Sequence, residues 1–421
     1  MKSDSSIKIP PLIKRNTIYF AIAQAFVGMG TQMTPTLGAI MVVRLLGSAS
    51  LAGIGTSILG IGRFLIAYPV GKISDTYGRK VGMILGLSLS LIASLIIGLS
   101  MSLVSFPIFL VGMVIFGLGV GAGGQLRVAA ADMYPPSRRA RGLGYVLTGS
   151  LMGALGGPGL ISAAQALSHR FAVEPLALTW MLVPLVILPS ILLVFQVRPD
   201  PKEIAAHLDR YYPGYQPAAI NDAQIKVKIS LLSLFRHYPK LTAFAANFAV
   251  QGNMTMMMAM TSLTLSRHGH SLPSISLAVA IHVLGMFGFS IPLGWLADRM
   301  GRRLVSIAGL ALAGAGSILV AASGLYWPIT AGLFLVGLGW SCVNIAATII
   351  IADTTGPLER ARAIGANDTF TSISAILLPL VAGPLVEFLG FRFLGFLGAA
   401  IMLPPLVLLL KLREPSPGKY E

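Results

Sequence analysis

The sequence predicts an all-α integral membrane protein in which twelve transmembrane helices form two pseudo-symmetric six-helix bundles. Of the 421 residues, 55% are hydrophobic and only 11% are charged, and the mean hydropathy is +0.80. So few charges could not cover the surface of a soluble protein. Apolar stretches of about 20 residues recur from end to end, and each is long enough to cross a bilayer as a helix. A polar decamer occurs twice, 223 positions apart, which indicates two related halves.

The predicted spans divide the chain into five segments. One connection, between the sixth and seventh spans, is much longer than the others. The predicted segments are a cytoplasmic N-terminus (1–16), an N-terminal six-helix bundle (17–196), a cytoplasmic linker (197–238), a C-terminal six-helix bundle (239–413) and a cytoplasmic C-terminus (414–421).

The distribution of basic residues predicts the orientation. The net charge is +16, which in a soluble protein would suggest a nucleic-acid partner. Here Lys and Arg cluster in the loops of one side, and such residues resist translocation, so this side is predicted to be cytoplasmic. We expect a multi-pass protein of the inner (cytoplasmic) membrane with both termini inside and no nucleic-acid partner. The single cysteine, Cys342, excludes an intramolecular disulfide and a cysteine-based metal cluster.

Two polar loops repeat in register. The first decamer, GKISDTYGRK (71–80), and the second decamer, GWLADRMGRR (294–303), each stand between apolar spans. A second pair of markers begins at Asp132 and Asp353, 221 positions apart. The matching positions of the decamers are Gly71, Asp75, Gly78, Arg79 and Lys80 in the first, and Gly294, Asp298, Gly301, Arg302 and Arg303 in the second.

Each decamer predicts a tight cytoplasmic turn between helices. Glycines allow the chain to reverse. The Asp can accept hydrogen bonds from free N–H groups at a neighbouring helix start, where the helix dipole favours an anion. Such a polar latch would hold the two halves together in one conformational state and release them in another. The alternative is a simple hairpin loop whose basic residues set the topology.

The decamers resemble the signature loop of the major facilitator superfamily, and the likeness covers nearly the whole chain. The resemblance implies a substrate site between the two bundles and alternating access by rocking of the halves. In the fifth span, Gly144, Gly153, Gly157 and Pro158 resemble the motif of the antiporter branch, which consists largely of drug and metabolite exporters. One departure is Met113, which stands where exporters of this branch usually carry an Arg in the fourth span.

Four ionisable residues within the spans are candidates for proton coupling. Charges inside a span are costly and usually functional. Arg63, Arg127 and Asp368 lie in the second, fourth and eleventh spans, and His282 lies near the middle of the eighth. In the resembled fold the second and eleventh helices are neighbours, so Asp368 is expected to approach Arg63, with Arg127 as the alternative partner. The structural alternatives are an acid near its helix start, arginines that reach the headgroups, and a hydrogen-bonded packing histidine.

Neutral polar residues mark a predicted substrate cavity. The resemblance implies that the first and seventh helices, which match across the repeat, line this cavity. The candidates are Gln24 and Gln32 in the first span, Asn247, Gln251 and Asn253 in the seventh, and Asn344 in the tenth.

Together these features predict a secondary active transporter, most simply a proton-coupled exporter of small organic molecules. The expected partners are a small-molecule substrate and the lipid bilayer, and the protein is expected to be monomeric. No cofactor or metal is expected, since the proton gradient would supply the energy. The sequence contains no G-x-x-x-x-G-K-[ST] loop, H-E-x-x-H pair or G-x-S-x-G elbow, which disfavours an ATPase or a membrane enzyme. An uptake symporter or a uniporter of the same fold is the open alternative, and a non-transporting sensor would need a signalling module.

Overall fold

The computed structural model describes residues 9–135, 138–213, 236–355 and 360–412, without the side chains of residues 140, 169 and 360–362. Residues 1–8 of the predicted N-terminus, 214–235 of the predicted linker and the whole predicted C-terminus therefore lie outside the described residues, as do 136–137 and 356–359. The described residues form helices joined by short turns and contain no strand. This confirms the predicted all-α class.

Eleven of the predicted spans are helices, or pairs of nearly continuous helices, that are long and apolar enough to cross a membrane. The predicted seventh span is also a helix, of 30 residues, but amide side chains make it less apolar than the others. Most of its residues are buried, which explains how it tolerates them: its polar groups meet protein partners rather than lipid.

The chain folds into two compact units. Unit 1 comprises Met1–Thr34 and Ile58–Ile220, and unit 2 comprises Pro35–Ser57 and Asn221–Glu421. The helices of the first part of the chain are α1 (Pro11–Thr31), α2 (Met33–Leu46), α3 (Ile54–Tyr77), α4 (Arg79–Ser102), α5 (Phe106–Gly123), α6 (Gln125–Asp132), α7 (Arg139–Phe171), α8 (Pro175–Gln196), α9 (Pro201–Ala206) and α10 (Leu208–Tyr211).

The second part of the chain contains eight described helices, and a pair of prolines, Pro404 and Pro405, follows the break between its last two. They are α11 (Tyr238–Arg267), α12 (Leu272–Phe287), α13 (Ser290–Met300), α14 (Arg302–Ala322), α15 (Tyr326–Asp353), α16 (Arg360–Leu389), α17 (Phe391–Ile401) and α18 (Leu403–Lys411).

Each decamer turns on a single glycine. Gly78 separates α3 from α4 with φ +107°, and Gly301 separates α13 from α14 with φ +92°. A residue with a side chain rarely adopts such angles, so glycine is needed at both positions. The shared backbone conformation is direct structural evidence of the repeat.

Small residues allow the helices of unit 1 to pack closely. A Cβ on Gly62 of α3 would lie 2.8 Å from the Cα of Gly117 in α5, and a Cβ on Gly153 of α7 would lie 2.9 Å from the Cα of Gly28 in α1. Small residues at such crossings let helix backbones approach in a membrane, where packing rather than water exclusion holds helices together. Elsewhere in the unit, Phe116 and Trp180 stack edge to face at 5.0 Å.

Unit 2 includes a piece of chain from the first two spans. The segment Pro35–Ser57 contributes Ala39, Ala49 and Ala52 to one of the unit's apolar cores. The hydroxyl of Ser57 donates to the carbonyl of Ile376 at 2.7 Å. At the end of α16, the carboxylate of Glu387 accepts hydrogen bonds from the segment, from the Ser48 hydroxyl and the Ser50 N–H. The second unit is thus not continuous in sequence.

Candidate functional site

The first decamer builds a three-residue ion cluster. Arg79 donates from Nη1 to Asp75 Oδ1 and from Nε to Asp132 Oδ2, both at 2.9 Å. The Arg79 and Asp132 side chains are 19% and 20% exposed, whereas Asp75 is 70% exposed. Arg79 therefore ties the turn to the end of α6, and the exposed pair with Asp75 adds little stability by itself.

The second decamer repeats this arrangement in a looser form. Arg302 Nη2 lies 3.4 Å from Asp353 Oδ2 and 3.9 Å from Asp298 Oδ1. The Nε of Arg302 corresponds to the Nε of Arg79, which donates to Asp132. In Arg302 this atom is buried without a hydrogen-bond partner among the described residues. Both units therefore join the decamer to the acid of the second marker pair through one arginine.

The last basic residue of each decamer contacts the end of another helix. Lys80 Nζ donates to the Phe195 carbonyl in the last turn of α8 at 3.0 Å. Arg303 Nη2 donates to the Leu410 carbonyl in the last turn of α18 at 2.7 Å. Cations at these positions satisfy free carbonyls and complement the helix dipole.

A residue outside the decamers, Asp200, supplies the anion at the start of α4. Its Oδ1 accepts from the N–H groups of Arg79 (3.0 Å) and Lys202 (2.8 Å), and its Oδ2 accepts from the N–H of Lys80 (3.1 Å). A Cβ on Gly78 would lie 2.7 Å from Asp200 Oδ2, so the glycine also makes room for this carboxylate. Sequence reasoning missed this residue, although the Asp-Pro pair at 200–201 is a typical helix start.

Other contacts dock the chain after α8 onto unit 1. The Arg198 carbonyl accepts from Arg15 Nη2 (3.1 Å) and Asn16 Nδ2 (3.2 Å) of α1. The hydroxyl of Tyr212 donates to the Met133 carbonyl at 3.0 Å. Burial raises the pKa of Tyr212 well above its usual value, so this donor stays protonated. The start of the predicted linker is therefore part of unit 1.

The first glycines of the decamers have free space around them. A Cβ on Gly71 or Gly294 would meet no atom within 4 Å among the described residues. The latch role predicted for these two positions, and for the decamers as a whole, stays a prediction.

The antiporter-like motif lies in α7. A Cβ on Gly153 would lie 2.2 Å from the Ala25 carbonyl oxygen of α1, so this glycine is required for the contact. Gly157 is buried and Pro158 stands inside the helix, whereas Gly144 is exposed with nothing within 4 Å. The motif thus contributes to one helix crossing through Gly153, and its relation to antiport stays a prediction.

Arg63 and Arg127 both belong to unit 1 and are exposed on it. Asp368 is in unit 2, and its predicted approach to Arg63 stays a prediction.

Asp368 is the exposed end of a hydrogen-bonded chain that runs through two buried amide side chains. Asn247 Nδ2 of α11 donates to Asn367 Oδ1 at 3.1 Å, and Asn367 Nδ2 donates to Asp368 Oδ1 at 3.4 Å. Asn247 and Asn367 are buried and Asp368 is exposed. The structure therefore connects a predicted cavity residue to a predicted coupling residue through Asn367, which sequence reasoning did not single out.

His282 is fully buried in α12. Its Nδ1 lies 2.7 Å from the Leu333 carbonyl oxygen and therefore donates to it, while Nε2 is buried without a partner among the described residues. Imidazole with one N–H on a carbonyl and one unprotonated nitrogen is the neutral form. The geometry matches the packing histidine that the sequence left open, and a coupling role would require a change of conformation that admits water.

The predicted cavity residues differ in how far they are engaged. Asn253 is fully buried and hydrogen-bonded to Ser317 Oγ (2.9 Å), and Gln251 Oε1 accepts from Trp340 Nε1 (2.8 Å). Gln24 is buried with no partner for Oε1 among the described residues. Gln32 and Asn344 are half-buried. Asn253 therefore serves helix packing in this conformation, and Gln24 retains a free acceptor.

The helical membrane architecture and the repeated ion clusters define a polytopic transporter of two related halves. A family model described as the Major Facilitator Superfamily matches residues 20–270 and 242–421. The chain belongs to this family, as its decamers predicted.

Relatives of the chain include characterised and uncharacterised transporters. It is 27% identical over 406 residues to the MFS-type transporter YddS of Bacillus subtilis, covering 95% of this chain and 91% of the relative. It is 26% identical over 406 residues to the riboflavin transporter RfnT of Brucella anthropi, covering 94% and 96%. It is also 30% identical to the multidrug resistance protein MdtL of Escherichia coli, but over only 149 residues, 34% of this chain and 38% of MdtL.

Solved structures of the same fold are similar at low sequence identity. A bacterial homologue of the human lysosomal transporter Spinster, in an inward-facing conformation, aligns with a TM-score of 0.67 at 17% identity, over 95% of each chain. The human organic anion transporter MFSD10 aligns with a TM-score of 0.61 at 16% identity, over 95% of this chain and 100% of that protein. These likenesses establish the fold.

Proposed function

We propose that the protein exports small organic molecules in exchange for protons, by alternating access of its two halves, in the inner membrane with both termini in the cytoplasm. The observation that carries the direction is the glycine and proline pattern of α7, Gly144, Gly153, Gly157 and Pro158. The contact of Gly153 with the α1 backbone supports it, because this crossing depends on the absence of a side chain. The partial likeness to MdtL, a multidrug resistance protein by name, points the same way.

Proton coupling is assigned to Asp368 with Arg63 as its partner. A charged residue within a span needs a counter-ion or an aqueous cavity. If a nearby arginine lowers the pKa of a carboxyl and its departure raises it, the carboxyl binds a proton in one state and releases it in the other. The exposed carboxylate of Asp368 accepts a hydrogen bond from the buried amide of Asn367. Protonation of Asp368 would alter this hydrogen bond and so affect the interior of unit 2.

Everted membrane vesicles test the direction. Respiration acidifies their interior, so an exporter should concentrate its substrate inside them. The first two probes are riboflavin, the compound in the name of RfnT, and ethidium, a multidrug dye. A panel of aromatic acids and amines follows. Uptake of any of these compounds that collapses with an uncoupler supports export, and gradient-driven uptake by intact cells contradicts it.

A matched pair of glycine variants tests the observation itself. Gly153→Ala forces a Cβ to within 2.2 Å of the Ala25 carbonyl, whereas Gly159→Ala, in the same helix but outside the motif, meets open space. We expect Gly153→Ala to lose transport and Gly159→Ala to keep it, with both proteins inserted in the membrane. Equal activity of the two variants would remove the structural support for the motif.

Uptake remains the second candidate, and one observation favours it. Met113 is fully buried in α5 at the position where exporters of the resembled branch usually carry an Arg. An uptake symporter of the same fold would accumulate substrate in intact cells and would not concentrate it in everted vesicles with an acidic interior.

A further inference from the structure

A cleft lies in unit 1 between the N-terminal parts of α1 and α7. The two helices touch near the middle of α1, because a Cβ on Gly149 of α7 would overlap the Ala21 carbonyl oxygen. On the side of their first turns they enclose a cavity of about 370 Å³, which is also lined by Tyr134, two residues beyond the end of α6. This volume is within the range of about 300–1,000 Å³ that small-molecule sites occupy.

The walls of the cleft are mostly apolar. Ile18, Ala21 and Ile22 of α1 line it, together with Tyr145 of α7. Ile18 and Tyr145 are 56% and 50% exposed, so no described side chain covers this surface. Along α1 the cleft extends about 12 Å from Lys14 to Ile22, at 1.5 Å per residue. An apolar body of up to this length would gain free energy by burial in the cleft.

The hydroxyl groups of the cleft are already paired, with one exception. Thr17 Oγ1 donates to the Ile13 carbonyl at 2.8 Å, so the Tyr134 hydroxyl, 2.9 Å away, is the donor to Thr17. Burial raises the pKa of Tyr134, so this donor stays protonated. Thr148 Oγ1 donates to a carbonyl of its own helix at 3.1 Å. The hydroxyl of Tyr145 has no hydrogen-bond partner among the described residues and remains free to donate.

Lys14 brings a positive charge to the open end of the cleft. It stands in the first turn of α1 and is exposed. No acid lines the cleft, and no described carboxylate pairs with the Lys14 ammonium. An ammonium at the end of a span reaches the water of the headgroup region, so the open end of the cleft is accessible from solution. The cleft therefore presents one cation and one free hydroxyl donor beside apolar walls.

We propose that this cleft binds a small organic anion, with an aromatic or short aliphatic body between α1 and α7 and a carboxylate on Lys14 and Tyr145. Free donors without a carboxylate disfavour a cationic ligand. The size of the cleft disfavours a phospholipid, because each leaflet of the bilayer core is about 15 Å deep and two such acyl chains exceed the cleft. The inference goes beyond the proposed function, since binding requires neither transport nor a proton gradient.

Calorimetric titration of the full-length protein in a non-ionic detergent tests the inference. The probes are 1-naphthoate, indole-3-acetate and octanoate, each with its amide, and 1-naphthylmethylamine as the cation of matched shape. We expect at least one carboxylate to bind, its amide to bind about fivefold more weakly, and the amine not to bind. The factor of five is the upper end for a contact between exposed charges.

Variants of the cleft separate the charge from the apolar walls. Lys14→Gln should weaken carboxylate binding by about fivefold and leave amide binding unchanged. Tyr145→Phe keeps the ring and should cost about threefold, the loss of one hydrogen bond. Thr148→Phe fills the cleft and should abolish binding of carboxylate and amide alike. Lys411→Gln is the matched control, because this exposed lysine ends α18 in unit 2.

The unfolding temperature of each ligand-free variant shows whether it is folded, and Lys14→Gln and Tyr145→Phe alter exposed groups only. Equal binding of carboxylates and amides, or carboxylate binding unchanged in Lys14→Gln and in Tyr145→Phe, would overturn the inference. A lipid arm in nanodiscs compares phosphatidylcholine with phosphatidylglycerol. Stabilisation by phosphatidylglycerol that depends on Lys14, with binding of no soluble carboxylate, would assign the cleft to a lipid and overturn the inference as well. Failure of export in everted vesicles would leave each of these results interpretable.

Discussion

Asp200 should contribute to stability far more than its position in a predicted linker suggests. Its carboxylate accepts three backbone N–H groups, one in its own helix α9 and two in the first turn of α4. The N-cap of α4 is Gly78, which has no side chain to serve that turn. Replacement by Ala would therefore leave the starts of two helices without their acceptor.

The expected loss can be estimated from these contacts. Removal of an N-cap acceptor costs about 1 kcal/mol, which applies to α9. Hydrogen bonds to a charged acceptor contribute about 1.5–3 kcal/mol each. Because Asp200 is half-buried and water can replace part of the interaction, we count about 1.5–3 kcal/mol for the two α4 bonds together. Asp200→Ala should thus lower the free energy of unfolding by about 2.5–4 kcal/mol.

Denaturant unfolding of the purified protein in mixed micelles, followed by circular dichroism, measures this loss. Asp200→Asn should show an intermediate value, since one oxygen remains but an amide NH₂ faces backbone donors. Asp209→Ala is the matched control, because this exposed acid of α10 has no described partner and should change stability by less than about 0.5 kcal/mol. An Asp200→Ala protein as stable as Asp209→Ala would refute the capping argument.

Three further predictions concern the decamers, a glycine contact and the coupling acid. Asp75→Asn should reduce transport with a stability change below about 1 kcal/mol, because its ion pair is exposed; full activity of the double variant with Asp298→Asn would reduce both decamers to topology signals. Gly53→Ala should destabilise the protein by several kcal/mol in thermal unfolding, since its Cβ would overlap a backbone carbonyl of α16. Gly71→Ala, which meets open space, should be neutral, and equal effects of the two would argue against the packing. Asp368→Asn should abolish gradient-driven transport but retain counterflow exchange, and uphill transport by this variant would exclude it as the coupling site.

The repeat and its turns were predictable because they depend on local geometry. A glycine that must adopt positive φ between two helices leaves a visible mark, and Gly78 and Gly301 occur at matching positions for that reason. The family and the helical class followed from the same pattern. Sequence spacing also identified Asp132 and Asp353 as markers, although it did not show that Arg79 and Arg302 would connect them to the decamers.

The long-range partners were not predictable from one sequence. Asp200 lies 121 positions from Arg79, whose N–H it accepts, and nothing local to either residue indicates the other. The amide of Asn253 was assigned to a cavity because the family resemblance implies that the seventh helix lines one, but it is bonded to Ser317, 64 positions away. Only the packed structure distinguishes an amide that binds a neighbouring helix from one that is free for a ligand.

The discontinuous make-up of unit 2 affects how the protein can be made. Ser57 is synthesised 319 residues before Ile376, whose carbonyl it will bond. At about 5–20 residues per second this delay is roughly 15–65 s, during which the segment Pro35–Ser57 lacks its later partners. Its apolar side chains must be held by lipid or by an insertion factor until α16 is inserted. A C-terminal half produced from a separate message would lack Ala39, Ala49 and Ala52 from its core, so its assembly would depend on a nascent segment supplied by the other half.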